Sequence, residues 1–263
     1  MAAPLSPDLS YDQRGKVAWL QLCRSHRGNR LTPVMAEELI VLCETAEEAD
    51  GVEVVVLTGR GDAFCHGLEY TPGNTGVTAA QEIRSQFGEL RGIEALAAIT
   101  KPTLAVMNGD AIGVGLEMAL ACDLRLAIEG ARFGLSQVAN GLIPFCGGTQ
   151  RLPRIVGQAK ALELVLIGEN IEATEAQRIG LISEVVPAST FTNRVDEVIQ
   201  SLLGKGPVAL RLGKEAVHKA MDLTLDQGIR LEEDLYALLQ TTQDRAEGIR
   251  AFLGKKRPTF TGQ

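Results

Sequence analysis

The chain reads as an α/β protein with an all-helical C-terminal end, and three features carry that reading. Short apolar runs of strand length recur: Lys16–Cys23 (KVAWLQLC), Val54–Leu57 (VVVL) and Leu104–Met107 (LAVM). Up to about Val186 they alternate with glycine-rich turns and stretches of helical length, the pattern of a layered core with parallel sheets. From Ser189 onward the pattern is helical alone. The division implied is a ligand-binding core over residues 1–188 and a helical region over residues 189–263.

Composition bounds the function. With 263 residues, 45% hydrophobic and 22% charged, the chain can bury a substantial core and looks like an ordinary globular protein. A net charge of −7 argues against a general nucleic-acid or anionic-membrane binder. No apolar run approaches a membrane span. The opening MAAPLSPDLSYDQRG has neither a signal-peptide nor a transit-peptide pattern. Five cysteines without a CxxC pair suggest reduced thiols and a cytoplasmic setting. The histidines at 26, 66 and 218 do not make a metal cluster, so no metal is expected.

Taken in order, Lys16–Cys23 alternates apolar and polar residues as a half-buried strand does. Arg24–Leu31 (RSHRGNRL) is a polar turn whose arginines, 24, 27 and 30, are solvated charges or a hold for a phosphorylated ligand. Thr32 is an N-cap with Pro33 at the first helical position, opening a helix to about Ala49. Val54–Leu57 is a buried strand closed by Thr58-Gly59. In Ala63–Tyr70 (AFCHGLEY) a glycine, Gly67, follows a short apolar piece and leaves the Leu68 N–H able to point at a ligand. His66 lacks an evident partner and reads as structural or as a ligand contact before it reads as a base. The loop Thr71–Thr78 is a candidate cover for a site, and a long helix runs from about Ala80 to Ile99.

The stretch Pro102–Asp123 (PTLAVMNGDAIGVGLEMALACD) is the centre of the chain. Its strand turns at Asn108-Gly109, crosses Gly113 and Gly115, and enters an apolar helix over Leu116–Ala121. Glycines at such a turn let a ligand approach the backbone. The first N–H groups of the helix are unpaired and stand at its positive end, where an oxygen gaining negative charge is stabilised. Glu117, three residues after Val114, puts a carboxylate on the same face of an otherwise apolar segment.

These residues resemble the signature of the crotonase superfamily, the enoyl-CoA hydratase/isomerase proteins. Asn108-Gly109, Ala111, Gly113, Gly115, Glu117 and Cys122-Asp123 carry the likeness. AFCHGLEY, Phe133–Gly157 (FGLSQVANGLIPFCGGTQRLPRIVG), Glu175–Val186 (EAQRIGLISEVV) and Glu247–Phe260 (EGIRAFLGKKRPTF) extend it over nearly the whole chain. The resemblance implies a ββα spiral core with a C-terminal helical trimerisation region, assembled as a homotrimer or a dimer of trimers. It implies an acyl-CoA thioester substrate, with coenzyme A as part of the substrate and no separate cofactor. The thioester oxygen would sit between the N–H groups of Leu68 and Val114. Gly67, Gly113, His66, Tyr70, Leu142 and Phe145 would line the substrate site, and Arg27 and Arg30 would meet the CoA phosphates.

This chain departs from the family's pattern at three of these places. Val114 stands where the family usually has glycine, which leaves the N–H and reshapes the acyl pocket. Of the two glutamates of family hydratases, Glu117 matches the first and Gln137 occupies the place of the second. Some isomerases carry an acid where this chain has Phe145. An amide orients a water but is neither acid nor base near neutral pH. Glu117 would then be the single carboxylate at the reacting carbons, raised in pKa by apolar neighbours such as Leu142, Phe145 and Cys146. Hydration or dehydration of an α,β-unsaturated acyl-CoA is the leading expectation. Double-bond isomerisation or decarboxylation on the same oxyanion hole is the nearest rival. A non-catalytic acyl-CoA-binding domain, as in the crotonase-like domains of chromodomain Y-like proteins, is the other class, and retention of Glu117 speaks against it.

Overall fold

The structure is a computed structural model that describes residues 6–69 and 79–263, with the backbone alone at 79–87 and 89. Tyr70 and the Thr71–Thr78 loop singled out above lie outside these residues. In chain order the first half holds β1 (Leu9–Arg14), β2 (Val17–Leu22), α1 (Pro33–Glu48), β3 (Val54–Gly59), β4 (Ala63–Cys65), α2 (Ala79–Ala98), β5 (Thr103–Met107), β6 (Asp110–Ile112) and α3 (Val114–Leu120). Then come β7 (Leu124–Ile128), β8 (Arg132–Gly134), α4 (Gly148–Val156), α5 (Gln158–Ile167), β9 (Ile171–Glu172), α6 (Ala173–Arg178) and β10 (Glu184–Val186). Four helices close the chain: α7 (Phe191–Leu203), α8 (Pro207–Lys219), α9 (Leu225–Gln240) and α10 (Gln243–Leu253).

The strands divide between two sheets. One has the order β1-β2-β3-β5-β7-β10, the other β4-β6-β8-β9. Only the end pairs β1–β2 and β8–β9 are antiparallel among the described residues. The chain places β3, β5 and β7 in the first sheet and the strand after each in the second, then leaves by a helix, so the ββα unit repeats as a spiral. Inner strands of a parallel sheet are covered on both faces, so β3 and β5 are buried throughout, as continuous apolar runs should be. Leu20, Leu57, Phe64, Met107 and Phe133 sit at the centre of this core.

Four strands had no signal of their own. β1 (LSYDQR) is polar along the edge of its sheet, and β6, β8 and β9 are two or three residues long, too short to show a period. Asn108 ties the start of β6 in place. Its Oδ1 accepts the Gly59 N–H at 3.0 Å and its Nδ2 donates to the Gly61 carbonyl at 2.8 Å, pinning the β3–β4 turn to the β5–β6 turn. The central helix begins at Val114, two residues before the expected start, because Gly115 belongs to it. A Cβ on Gly115 would collide with the Cys65 carbonyl oxygen, so glycine is what lets α3 lie against β4.

Helix ends follow the sequence closely. The Thr32 side chain accepts from the Met35 N–H ahead of Pro33, Thr224 and Gln227 form a capping box, and Thr242 accepts from the Arg245 N–H. The chain forms two compact units, one of Met1–Ile99 with Thr103–Val195, the other of Thr100–Pro102 with Asp196–Gln263. In the second, neither α8 nor α9 has a buried residue.

Candidate active site

Two turns of the first unit lie side by side at the start of α3. Gly67 takes φ +94°, and an ideal Cβ there would stand 3.3 Å from the Ile112 carbonyl oxygen and 4.0 Å from the Val114 nitrogen. The Gly67–Leu68 peptide thus runs alongside the Ile112–Val114 turn. Its orientation is set from behind: the Gly67 carbonyl accepts the Leu31 N–H at 2.8 Å, and the Glu69 N–H donates to the Leu31 carbonyl at 2.9 Å. The intervening Leu68 N–H is left facing the other way, as in any extended strand. Gly113 is held by its own N–H on the Gly134 carbonyl at 2.8 Å, and Val114 is the first residue of α3. Among the described residues neither the Leu68 nor the Val114 N–H finds a hydrogen-bond partner.

Glu117, one turn into α3, is fully buried. Its Oε1 accepts the N–H groups of Cys146 and Gly148, each at 2.8 Å, and its Oε2 accepts Gln137 Nε2 at 2.9 Å. Gly148 is also the first residue of α4, so the carboxylate sits at a helix N-terminus. A Cβ on Gly148 would press to 2.8 Å from Oε1, which makes the glycine doublet 147–148 part of the site. Burial raises the Glu117 pKa to about 7, against the opposing pull of the Gly148 and Cys146 N–H groups, the Arg151 charge and Gln137. The oxygen that remains able to take a proton is Oε2, because Oε1 already accepts twice.

Gln137 comes from the 3-10 turn Ser136–Asn140 and reaches Glu117 across Gly113, whose ideal Cβ would lie 3.7 Å from the amide. With Nε2 committed to Glu117, its Oε1 is buried and has no partner among the described residues. An unmet acceptor beside a carboxylate is a place for a donor from outside the chain. Leu142 and Phe145 are half-buried on the same segment; the Leu142 N–H donates to the Gln137 carbonyl at 3.1 Å, and Phe145 packs on the core.

The basic turn splits into two roles. Arg24 is a clamp within the fold: it pairs with Asp8 at 3.2 Å and with Glu69, and donates to the Arg30 carbonyl at 3.1 Å. Arg27 and Arg30 are exposed, and Arg30 Nη1 donates to the Leu68 carbonyl at 3.3 Å, which places it next to the Gly67–Leu68 turn. His66 packs on Gly28 and has Asp110 as its carboxylate neighbour at 4.0 Å. Among the described residues no group of three His, Cys, Asp or Glu side chains is arranged to hold a metal, and no helix is long and apolar enough to cross a membrane. What motif reading passed over is the Cys146–Gly148 loop as the seat of Glu117, and Arg151 behind it. The glycine doublet ahead of a helix was the signal for the first.

A sequence profile of the enoyl-CoA hydratase/isomerase family matches residues 12–263. The chain is 34% identical over 258 residues to the 2,3-dehydroadipyl-CoA hydratase of Escherichia coli strain K12, covering 97% of this chain and 99% of that one. It is 35% identical over 252 residues to the crotonyl-CoA hydratase of Syntrophomonas wolfei, covering 95% and 96%. Among solved structures, the enoyl-CoA hydratase of Bacillus anthracis superposes with a TM-score of 0.93 at 34% identity, covering 97% of this chain and 100% of that one. With its ββα spiral, its helical C-terminal region and a family match over nearly its whole length, the chain belongs to the enoyl-CoA hydratase/isomerase family, within the crotonase superfamily.

Proposed function

We propose that this protein adds water across, or removes it from, the double bond of an α,β-unsaturated acyl-CoA, with Glu117 as its single catalytic carboxylate. The observation that carries this is the pairing of Glu117 with an amide whose free oxygen faces inward. A water on the site donates one hydrogen to Glu117 Oε2 and the other to Gln137 Oε1, which turns a lone pair toward the β-carbon. The thioester oxygen lies between the Leu68 and Val114 N–H groups. As the water attacks, its proton passes to Glu117, OH bonds to the β-carbon, and charge gathers on the thioester oxygen. The proton then returns from Glu117 to the α-carbon. One water is added, on one face, and Glu117 ends as it began.

The experiment is a set of unsaturated acyl-CoAs, crotonyl-CoA first, followed by loss of the enone absorbance on wild type and Gln137→Glu. Wild type hydrates at least one of them. Gln137→Glu keeps or raises the rate on simple enoyl-CoAs, because two carboxylates this close share a proton and one becomes an acid for the α-carbon. Loss of a native activity in that variant would instead assign the amide to isomerisation or decarboxylation.

For CoA we assign the phosphate end to Arg27 and Arg30, exposed beside the Leu68 turn in a chain that is acidic as a whole. Arg30→Glu is expected to raise KM for an acyl-CoA with kcat nearly unchanged, the mark of lost uniform binding. An unchanged KM for charge reversal at either position moves the phosphates elsewhere, to Lys255, Lys256 or Arg257.

We also propose that the C-terminal helices assemble the protein as a trimer or a dimer of trimers. Leu225 (79% exposed), Phe252 (81%) and Leu253 (75%) stand in water in the isolated chain, with Val217, Met221 and Tyr236. In the stripe Leu231, Leu235, Leu238 and Leu239, Leu238 is exposed and the others are half-buried. Light scattering at a monomer mass in dilute buffer refutes this. Five free cysteines support a reducing, cytoplasmic setting.

A further inference from the structure

The loop that holds Glu117 is itself held. Arg151, in the first turn of α4, donates from Nη1 to the Cys146 carbonyl at 3.0 Å, and its backbone N–H donates to the Gly147 carbonyl at 2.7 Å. The N–H groups of Cys146 and Gly148, in the same three-residue loop, both end on Glu117 Oε1. Gly147 stands at φ +97°, and any side chain there would run into the Arg151 guanidinium. Arg151 is therefore keyed into the loop by two carbonyls and by the shape of the glycine it covers.

Among the described residues Arg151 is also the one cation acting on the Glu117 carboxylate, the other influences being N–H donors and the neutral Gln137. Around Arg151 stand Glu117, Glu94 of α2, Cys146 and Cys122. Glu94 is exposed and competes with Glu117 for the same positive charge. Burial drives Glu117 toward its neutral form, and a neutral carboxyl cannot take a proton from water.

We propose that Arg151 is a positioning residue for the reaction: it locks the Cys146–Gly148 loop onto Glu117 Oε1 and keeps that carboxylate charged, leaving Oε2 as the basic oxygen. The inference rests on Glu117 being the base in the function proposed above. Arg151 touches no reacting atom. It acts through the loop and through its field.

The test reads Glu117 directly as well as turnover. NMR of the protein labelled with carboxyl-13C glutamate, with Glu117→Gln to assign the signal, gives the Glu117 titration midpoint in wild type, Arg151→Gln, Arg151→Lys and Glu94→Gln. In Arg151→Gln the midpoint rises by about one pH unit, the lower end of what an adjacent opposite charge commands. The acid limb of the kcat/KM profile on an enoyl-CoA moves with it. Arg151→Lys restores the charge and brings both back toward wild type. Glu94→Gln removes the competing anion and moves the midpoint down. An unchanged midpoint in Arg151→Gln overturns the proposal. If that variant does not fold, Arg151→Met, which keeps the length of the side chain and removes its charge, takes its place, and an unchanged midpoint there overturns the proposal. A protein in which the midpoint follows Arg151 while no enoyl-CoA is hydrated supports the positioning role and sinks the hydratase reading.

Discussion

Replacing Glu117 with glutamine is expected to lower kcat on an enoyl-CoA by roughly 10²–10⁴-fold, the worth of a positioned acid–base group. The fold should survive. Glutamine keeps an oxygen for the Cys146 and Gly148 N–H groups, and the Gln137 amide can reverse to accept from the new NH2. Stability changes with a definite sign. The Glu117 pKa is raised in the folded protein, from 4.5 to about 7, so its protonated form favours folding. That contribution is fully present below 4.5 and is lost as pH rises toward 7, after which the buried charge is a standing cost. The shift corresponds to something on the order of 3 kcal/mol. Glutamine carries no such charge, so at pH 8 the variant should melt no lower than wild type while its activity is gone. The wild-type kcat/KM profile should show an acid limb near pH 7, where Glu117 ionises. A Glu117→Gln variant with an intact rate on the true substrate removes Glu117 from the chemistry and makes His66 the next group to test.

Val114→Pro should cost at least about 2.7–4 kcal/mol of transition-state stabilisation, or roughly 10²–10³-fold in kcat, because it deletes one oxyanion donor and its Cδ takes the place of that hydrogen. Val114 is the first residue of α3, where proline loses no helical hydrogen bond. The residue before it, Gly113, has φ 57° and ψ −124°, a mirror image of the extended conformation that proline prefers at its N-terminal neighbour and one open to glycine. The ring replaces a buried valine of similar volume, so the loss in melting temperature should be small beside the loss in rate. Equal activity in wild type and Val114→Pro means that the thioester oxygen is held elsewhere.

Much of this was legible along the chain because it is local. The Asn108-Gly109 turn, the strand at Leu104–Met107, the N-cap at Thr32, and the C-terminal helices are set by residues within a few positions of one another. The pairing of Glu117 with Gln137 was reached through resemblance, and the structure places the two at 2.9 Å. Other features had no local trace. β6, β8 and β9 exist because neighbouring strands of the second sheet supply their hydrogen bonds, since two or three residues carry no period of their own. Arg24 looked like one of three equal arginines until Asp8 and Glu69, from two other segments, closed on it.

The same distinction runs through the site. A carboxylate one turn into a helix, after a glycine-rich turn, is visible in eight consecutive letters, Asp110 to Glu117. The state of that carboxylate is not, because its partners come from 29 and 31 residues away and its field from Arg151 of another helix. Desolvation, two convergent N–H donors and one half-buried cation are properties of what packs together in space. Sequence spacing could therefore name Glu117, while the packing of α3 against the Cys146–Gly148 loop is what buries it and raises its pKa to about 7.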